Sequence, residues 1–226
     1  GATDLFAGAP TFATFSSDDD PELVRDALPF AIKTMEILLR QSPENSDLHL
    51  ATGRLCIQYA QAFLSEVADY VEESDYEHAR QLRGRAVAMF RRGRNYVIVG
   101  LASKRPDIEG NLMTDWPGML PRYGEDDAPY LFWIGAGWAA AIGENVGDMD
   151  DIADLPAIDA VMQRVMILDS DYGNGLVHEF FIVWDGSRSE LQGGNVERAE
   201  VHFENALEVS RGTSVAPYLA LASTVA

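Results

Sequence analysis

The sequence predicts an all-α protein, an array of antiparallel helical hairpins with about eight helices. Along most of the chain, apolar residues recur three and four positions apart, which is the spacing of one face of an α-helix. No segment alternates apolar and polar residues as a half-buried strand does. Short polar or Gly- and Pro-containing turns separate the periodic segments, so we expect consecutive helices to pack side by side.

The composition is that of a globular protein with a strongly acidic surface. The 226 residues are 47% apolar and 23% charged, and the net charge is −19. Such a surface repels nucleic acid and anionic lipid, so we expect neither as a partner. Cys56 is the only cysteine, so no intrachain disulfide can form, and its place on an apolar stripe predicts a buried thiol.

The chain is expected to divide into an N-terminal tether and one helical domain. Residues 1–19 are small, polar and acidic, which predicts a flexible tether, and residues 20–226 form the domain. Since the chain starts at Gly1 and not at Met, the lack of a signal peptide does not indicate a compartment.

The first three helices are predicted from caps and stripes. Asp20 is a good N-cap and Pro21 a good first-turn residue, whereas Pro29 inside the first helix predicts a kink or a restart. The second helix covers about 47–71 and the third about 76–104. The three stripes are Val24, Ala27, Leu28, Ala31, Met35 and Leu38; Leu48, Ala51, Leu55, Tyr59, Ala62 and Val67; and Leu82, Ala86, Met89, Gly93, Tyr96 and Gly100.

The helices after residue 104 are predicted from the same signals. Residues 105–124 contain three prolines and predict an irregular excursion with one short helix near 108–113. Further helices are expected at about 127–146, 155–168, 174–191 and 196–210, and from about 214 onward.

Three segments match the second helix of a helix–turn–helix repeat of about 34 residues. That helix carries a small residue, a bulky residue four later and a small residue three later, so that two helices can approach closely. The matched set predicts a tetratricopeptide-like array. The matches are Ala199, Phe203 and Ala206; Ala31, Met35 and Leu38; and Ile158, Met162 and Val165.

Several longer segments carry a family resemblance. Residues 130–142 read YLFWIGAGWAAAI, residues 168–173 read LDSDYG, and residues 178–203 begin with HEFF and end with GGNVERAEVHF. The opening DDPELV at 19–24 also fits. Together these segments resemble the T component of tripartite ATP-independent periplasmic (TRAP) transporters, over about residues 18–226.

The resemblance implies a periplasmic accessory protein, lipid-anchored at its N-terminus, that docks the periplasmic substrate-binding protein. It also implies a cleft for a small apolar or organic-acid ligand, and neither catalysis nor a cofactor. The acylated cysteine that such an anchor needs is not in this sequence. The alternative is a generic tetratricopeptide adaptor that binds a peptide or protein partner in its concave groove.

The apolar face of the last predicted helix is expected to be covered by another helix or another chain. Its apolar residues have no following helix in this sequence, whereas chains of the family usually continue further. We therefore expect either a missing C-terminal helix or a homo-oligomer. The apolar residues of this helix are Val215, Tyr218, Leu219 and Ala222.

Aromatic residues are the candidate ligand-binding residues. The helix at 130–143 combines bulky aromatic residues with a run of Gly and Ala, which allows either plain core packing or the wall of a ligand cleft. The candidates are Trp116, Tyr130, Trp133, Trp138, His178, Phe181 and Trp184.

Catalytic and metal-binding motifs are scarce, so we expect no enzyme, no metal site and no cofactor. His178 and Glu179 start like a zinc-protease helix, but Ile182 stands where the second histidine would be. The four histidines are dispersed in the sequence. The spacing Gly135-x-Gly137 lies inside a helix and not after a strand, so it predicts close helix packing and not a dinucleotide site.

The third helix is basic, and the segment before it is acidic. Eight basic residues lie between 80 and 105, and five acidic ones between 66 and 75. Two interpretations remain open: neighbouring helices that complement each other's charge, or a docking face for an acidic partner protein.

Overall fold

The structure, a computed structural model, describes residues 18–145 and 152–225 of the chain. Within these ranges it contains helices, turns and no strand, so the all-α prediction is confirmed. Most of the predicted tether lies outside the described residues. The helices are α1 (Pro21–Gln41), α2 (Ser46–Ala60), α3 (Glu66–Val71), α4 (Tyr76–Lys104), α5 (Leu112–Met119), α6 (Ala128–Gly143), α7 (Leu155–Leu168), α8 (Tyr172–Gly186), α9 (Val196–Val209) and α10 (Ala216–Val225).

The chain forms two compact units. The first contains the described residues up to Arg122 and those of the Trp133–Val161 segment. The second contains Tyr123–Phe132 and the described residues from Met162 onward. The expectation of a single domain over residues 20–226 stays a prediction.

Helix α1 begins as predicted but is not interrupted. The Asp20 carboxylate accepts hydrogen bonds from the backbone N–H groups of Glu22 and Leu23, both at 3.1 Å. The predicted restart at Pro29 is wrong, because α1 continues through it. Pro29 lies on the exposed face, where water can satisfy the carbonyl that the proline leaves without a donor. The buried stripe is Val24, Leu28, Ala31, Ile32, Met35 and Leu39.

Helices α2 and α3 are joined by a π-helical turn at Gln61–Ser65, so the predicted helix at 47–71 is continuous but not uniform. Ala62, predicted to be buried, is exposed. A π turn holds more residues per turn than an α turn and therefore shifts which side chains face inward. Leu64 and Ala68 are buried in its place.

Helix α4 spans the predicted residues and packs antiparallel to α2. Gly53 and Gly93 lie at their crossing. A Cβ atom on Gly93 would stand 2.6 Å from the Gly53 carbonyl oxygen and 2.7 Å from the Ile57 side chain. A Cβ atom on Gly53 would stand 2.4 Å from the Val97 side chain. The two backbones approach so closely that only glycine fits at either position.

Helix α6 also packs closely at a glycine, which confirms the close packing predicted for Gly137. A Cβ atom on Gly137 would lie 2.7 Å from Ile57 Cδ1 and 3.4 Å from Arg94 Cβ. Gly137 therefore lets α6 approach both α2 and α4.

Helix α5 lies further along the chain than the predicted 108–113. Gly110 has a φ of 132°, a conformation that interrupts a helix, and Asn111 then caps α5 by accepting a hydrogen bond from the Met113 N–H at 3.0 Å. The start of α5 is therefore set by Gly110 and the Asn111 cap and not by the three prolines.

In the second unit, α8 and α9 form an antiparallel hairpin with α10 packed beside it. The predicted repeat residues Ala199 and Ala206 are buried, and the Phe203 ring meets the Tyr218 ring edge-on at 5.2 Å. The two alanines thus lie on the buried face of α9, whereas a tetratricopeptide-like repeat stays a prediction.

Both ends of α8 differ from the predicted 174–191. Gly173, Asn174 and Gly175 have positive φ values of 62°, 62° and 103°, so the regular helix starts after them. The predicted end is wrong, because the chain turns back between 187 and 195. A Cβ atom on Gly194 would stand 1.8 Å from the Arg188 carbonyl oxygen, which shows how tight this turn is.

Two substitutions in α4 test the close approach of α2 and α4. Gly93→Ala is expected to lower the free energy of unfolding by about 1–3 kcal/mol, because the backbone of α2 must move away. Gly84→Ala in the same helix is the control. It has no atom within 4 Å of its Cβ position and should raise stability by up to about 1 kcal/mol. Urea unfolding of both variants measures the difference, and equal effects would contradict the packing argument.

Candidate functional site

Two of the predicted ligand-binding residues lie on the part of α6 that belongs to the first unit. Trp133 is buried, and the Arg54 guanidinium carbon stands 5.3 Å from its ring centroid. Trp138 is buried more deeply, and its Nε1–H donates a hydrogen bond to Asp154 at 3.1 Å. The Arg94 guanidinium carbon lies 5.6 Å from the Trp138 ring. Each indole is thus paired with a cation.

Trp116 has a different environment. It lies on α5 in the first unit and is half-buried, whereas Trp133 and Trp138 are buried.

A pair of histidines occupies the centre of the α8–α9 hairpin in the second unit. His178 and His202 face each other with their Nδ1 atoms 2.9 Å apart. Because a hydrogen bond needs one donor and one acceptor, only one of the two Nδ1 atoms can carry a proton in this contact. The His202 ring also stacks on Phe181, with ring centroids 4.8 Å apart.

The histidine pair is disposed to stay uncharged. Burial lowers the pKa of His178, and the carboxylate of Asp171 opposes this effect. Burial also lowers the pKa of His202, and His178 lowers it further, whereas Asp185 opposes the shift. A second proton would place two N–H groups against each other at hydrogen-bond distance.

Trp184 lies at the end of α8 in an aromatic and cationic stack. Its ring stacks on Phe180 at 5.4 Å, and the Arg188 guanidinium carbon lies 3.9 Å from its centroid. Arg188 Nε also donates a hydrogen bond to the Trp184 carbonyl oxygen at 2.7 Å. The indole is thus held between an aromatic ring and a cation.

An ion pair between the buried Asp185 carboxylate and the exposed Arg198 side chain joins α8 to α9. The Asp185 carboxylate accepts hydrogen bonds from Arg198 Nη2 at 2.6 Å and Nε at 3.1 Å, a bidentate arrangement. Arg188 lies 3.6 Å from the same carboxylate. The Asp185 carbonyl oxygen accepts from the Asn195 N–H at 2.9 Å. One residue thus fixes both the side chains and the turn of this hairpin.

Sequence reasoning missed Asp185 and His202. Asp185 follows Phe181 by four positions on the buried face of α8, and a carboxylate on an apolar stripe is the signal that could have found it. His202 gave no such signal, because the 24 residues that separate it from His178 in the chain conceal their contact.

The structure divides the predicted ligand-binding residues between the two units. A single cleft lined by all of them stays a prediction. Those in the first unit are Trp116, Trp133 and Trp138, and those in the second are Tyr130, His178, Phe181 and Trp184.

Glu179 beside His178 has its own structural partner. The Ser214 hydroxyl donates to the Glu179 carboxylate at 3.5 Å, and burial raises the pKa of that carboxyl group. In the part of the chain that the structure describes, no three His, Cys, Asp or Glu side chains converge as ligands for a metal ion.

The basic helix α4 contacts acidic residues in neighbouring helices and directly after them. Arg83 pairs with Asp69 and Glu72, both at 2.8 Å, and with Glu144 at 3.2 Å. Glu36 of α1 pairs with Arg92 of α4. These contacts favour charge complementarity within the protein over a docking face for an acidic partner.

Helix α10 and the residue before it expose the apolar side chains that the sequence indicated. Val215, Tyr218 and Leu219 are 73%, 55% and 68% exposed. What covers them stays a prediction. None of the helices within residues 18–145 and 152–225 has the length and apolar character needed to cross a membrane.

Comparison with known proteins gives one family and one relative. Residues 17–226 match the family described as TRAP transporter T-component, which confirms the resemblance predicted for residues 18–226. An uncharacterized protein of Treponema pallidum (strain Nichols) is 29% identical over 200 residues. The alignment covers 84% of this chain and 60% of the relative, so the chain spans about three fifths of that protein's length.

Removing the charge of Asp185 tests the ion pair. Asp185→Asn is expected to lower the free energy of unfolding by about 2 kcal/mol, because Arg198 and Arg188 lose the carboxylate between them. Glu200→Gln, an exposed position on α9, is the matched control and should change stability by less than about 0.5 kcal/mol. Thermal unfolding measures both, and a control-sized effect of Asp185→Asn would rule out a structural role for the pair.

The histidine pair predicts a loss of stability in acid. Since the folded pKa values of both histidines are lowered, the unfolded chain binds more protons below about pH 6.5 and stability falls as the pH drops. His202→Gln should reduce that fall between pH 7.5 and 5. The raised pKa of Glu179 makes stability rise as the pH drops, but it does so equally in the wild type and in the variant. The readout is therefore the difference in stability between the two proteins at each pH.

The control for this experiment is His78→Gln, because His78 is exposed on α4. Its pH profile should match that of the wild type. If the profile of His202→Gln also matches that of the wild type, the histidine pair does not govern the acid response.

Proposed function

The chain belongs to the TRAP transporter T-component family, and we propose that it is the periplasmic accessory component of a TRAP-type solute transporter. The match over residues 17–226 carries this proposal, because it covers almost the whole chain. In its natural form the protein would be held at the membrane by an N-terminal lipid, and its work would be binding and not catalysis.

We propose that the protein docks the periplasmic substrate-binding protein of the transporter. Arrays of helical hairpins present extended surfaces built from successive helices, which suits recognition of a folded protein. The net charge of −19 adds a condition: the docked surface of the partner is expected to be less acidic than this chain, or basic.

We further propose that the aromatic candidates contact a small ligand. Trp133, Trp138 and Trp184 each stand within 5.6 Å of an arginine guanidinium carbon. An apolar ring beside a guanidinium group suits a small organic acid, which offers both an apolar part and a carboxylate. The remaining candidates are Trp116, Tyr130, His178 and Phe181.

Binding to purified substrate-binding proteins tests the docking proposal. Immobilised full chain is expected to retain a TRAP-type substrate-binding protein from the same periplasm, with a dissociation constant in roughly the micromolar range. A substrate-binding protein of an ATP-driven transporter from the same periplasm is the control and should not be retained. Retention of both proteins, or of neither, would contradict the proposal and favour a generic adaptor.

A further inference from the structure

His202 lies over one face of the Phe181 ring in the α8–α9 hairpin. The two rings stack with their centroids 4.8 Å apart and an angle of 17° between their planes. Phe181 is 1% exposed, whereas His202 is only half-buried. One face of a buried aromatic ring is therefore shielded from water by an imidazole that water itself reaches.

One hydrogen bond holds His202 in this place. Its Nδ1 atom stands 2.9 Å from Nδ1 of His178, and the two ring centroids are 5.2 Å apart. This centroid separation is close to the largest that such a contact allows, so the two nitrogens meet head-on. Within residues 18–145 and 152–225, no other residue forms a hydrogen bond with the His202 side chain. The contact with His178 is thus a single latch.

The contact between the two nitrogens has room for one proton. An uncharged imidazole carries one N–H group, so one histidine donates through Nδ1 and the other accepts. The first additional proton goes to the outer nitrogen, Nε2, of the donor and leaves the contact intact. Only when both imidazoles are charged do two N–H groups face each other, so the latch fails on the second proton and not on the first.

His202, and not His178, is the residue that moves when both imidazoles are charged. His178 is 6% exposed and enclosed by the hairpin, whereas His202 already borders water. A charged imidazole is attracted to an aromatic face, which favours the stack on Phe181. Two positive charges in direct contact repel each other more strongly than that, since little water lies between them. Rotation of His202 into solvent removes the repulsion and hydrates the charge.

The charged groups of α8 and α9 do not hold His202 in place. Burial lowers the pKa of His178, and Asp171, directly before α8, opposes this effect. Burial also lowers the pKa of His202, and His178 lowers it further. Asp185 raises that pKa and Arg198 lowers it. Because Arg198 already binds the Asp185 carboxylate at 2.6 and 3.1 Å, these two charges largely cancel at the imidazole.

Helix α10, which packs beside the hairpin, contributes neither a carboxylate nor a cation. Tyr218 is its only ionisable side chain, and that ring contacts Phe203. Glu179 of α8 accepts a hydrogen bond from Ser214, shortly before α10. In the described part of the chain, no carboxylate forms a hydrogen bond with either imidazole, so none replaces the latch when it fails.

We propose that His202 is a proton-operated lid on the aromatic face of α8. While the histidine pair carries at most one charge, the lid is latched to His178 and covers Phe181. When both imidazoles are charged, the lid turns into solvent and uncovers the ring. The two helices stay paired, because the bidentate contact of Asp185 with Arg198 involves neither histidine.

An uncovered Phe181 would connect the lid with the proposed ligand binding. Phe181 is one of the candidate ligand-binding residues, so acid would open this part of the candidate site to a small ligand. That step rests on the proposed function. The movement of His202 does not, because it follows from the contacts of the two histidines alone.

Nuclear magnetic resonance of the full chain, with labelled histidine and phenylalanine, tests the lid between about pH 7.5 and 4.5. Ring nitrogen shifts report the charge of His178 and His202 separately. The cross-relaxation between the His202 and Phe181 rings is expected to persist after the first proton and to vanish with the second. The backbone signals of α8 and α9 should stay those of folded helices throughout.

Three results of this titration overturn the lid. The first is cross-relaxation between the His202 and Phe181 rings that persists with both imidazoles charged. The second is unfolding of α8 and α9 before the second proton binds. The third is a pair that takes up no second proton above about pH 4.5.

Exposure of the Phe181 ring is measured with a neutral gadolinium chelate, which broadens the signals of aromatic protons that water reaches. In the wild type, this broadening is expected to rise severalfold as the second proton binds. His202→Phe places on Phe181 a ring that takes no proton, so its Phe181 signals should stay sharp throughout the titration. His78→Gln, at an exposed histidine of α4, is the control and should behave like the wild type. Equal broadening in His202→Phe and the wild type contradicts the lid.

Benzoate is the ligand probe, because it joins an aromatic ring to a carboxylate. In acid it is expected to shift the Phe181 signals of the wild type and not those of His202→Phe. If the lid opens and benzoate shifts nothing, the lid stands and the ligand role proposed for Phe181 falls. If benzoate shifts the Phe181 signals equally in acid and at neutral pH while His202 stays on the ring, the ligand role stands and the lid is overturned.

Discussion

The contact between Gly53 and Gly93 is the constraint on which the first unit depends. It brings the backbones of α2 and α4 so close that no side chain fits between them. Ile57, one turn beyond Gly53, then contacts Gly93 and the small face of α6 through Gly137. Three helices thus meet around one isoleucine and three glycines. A methyl group at this point would separate helices whose apolar stripes are otherwise complete.

In the second unit, polar contacts between α8 and α9 have the corresponding role. Asp185 binds Arg198 through its side chain and Asn195 through its carbonyl oxygen, which ties the end of α8 to the start of α9. At the middle of the hairpin, His178 and His202 share one hydrogen bond and stack against Phe181. A buried carboxylate and a partly buried histidine pair need specific partners, so they fix the register of the two helices more strictly than apolar packing does.

These features connect the fold to its proposed work. The inner contacts of the first unit are made in part by glycines, and those of the second in part by paired polar groups. Exposed apolar side chains remain outside these contacts, among them Tyr218 and Leu219 of α10. Charge inside the first unit is largely complementary, as the three partners of Arg83 show. The remaining acidic surface then sets which partners can approach.

The sequence by itself determined the helices and the family. Periodicity and caps are local properties, so α1, α4 and α7 begin at the predicted residues, and the segments around Trp133 and Asn195 carried the resemblance. Only the tertiary structure decided the rest. No periodicity in the sequence marks the π turn that exposes Ala62. The contact between His178 and His202 joins residues 24 positions apart in the chain. Such contacts leave no local pattern, because their free energy arises only when two helices pack.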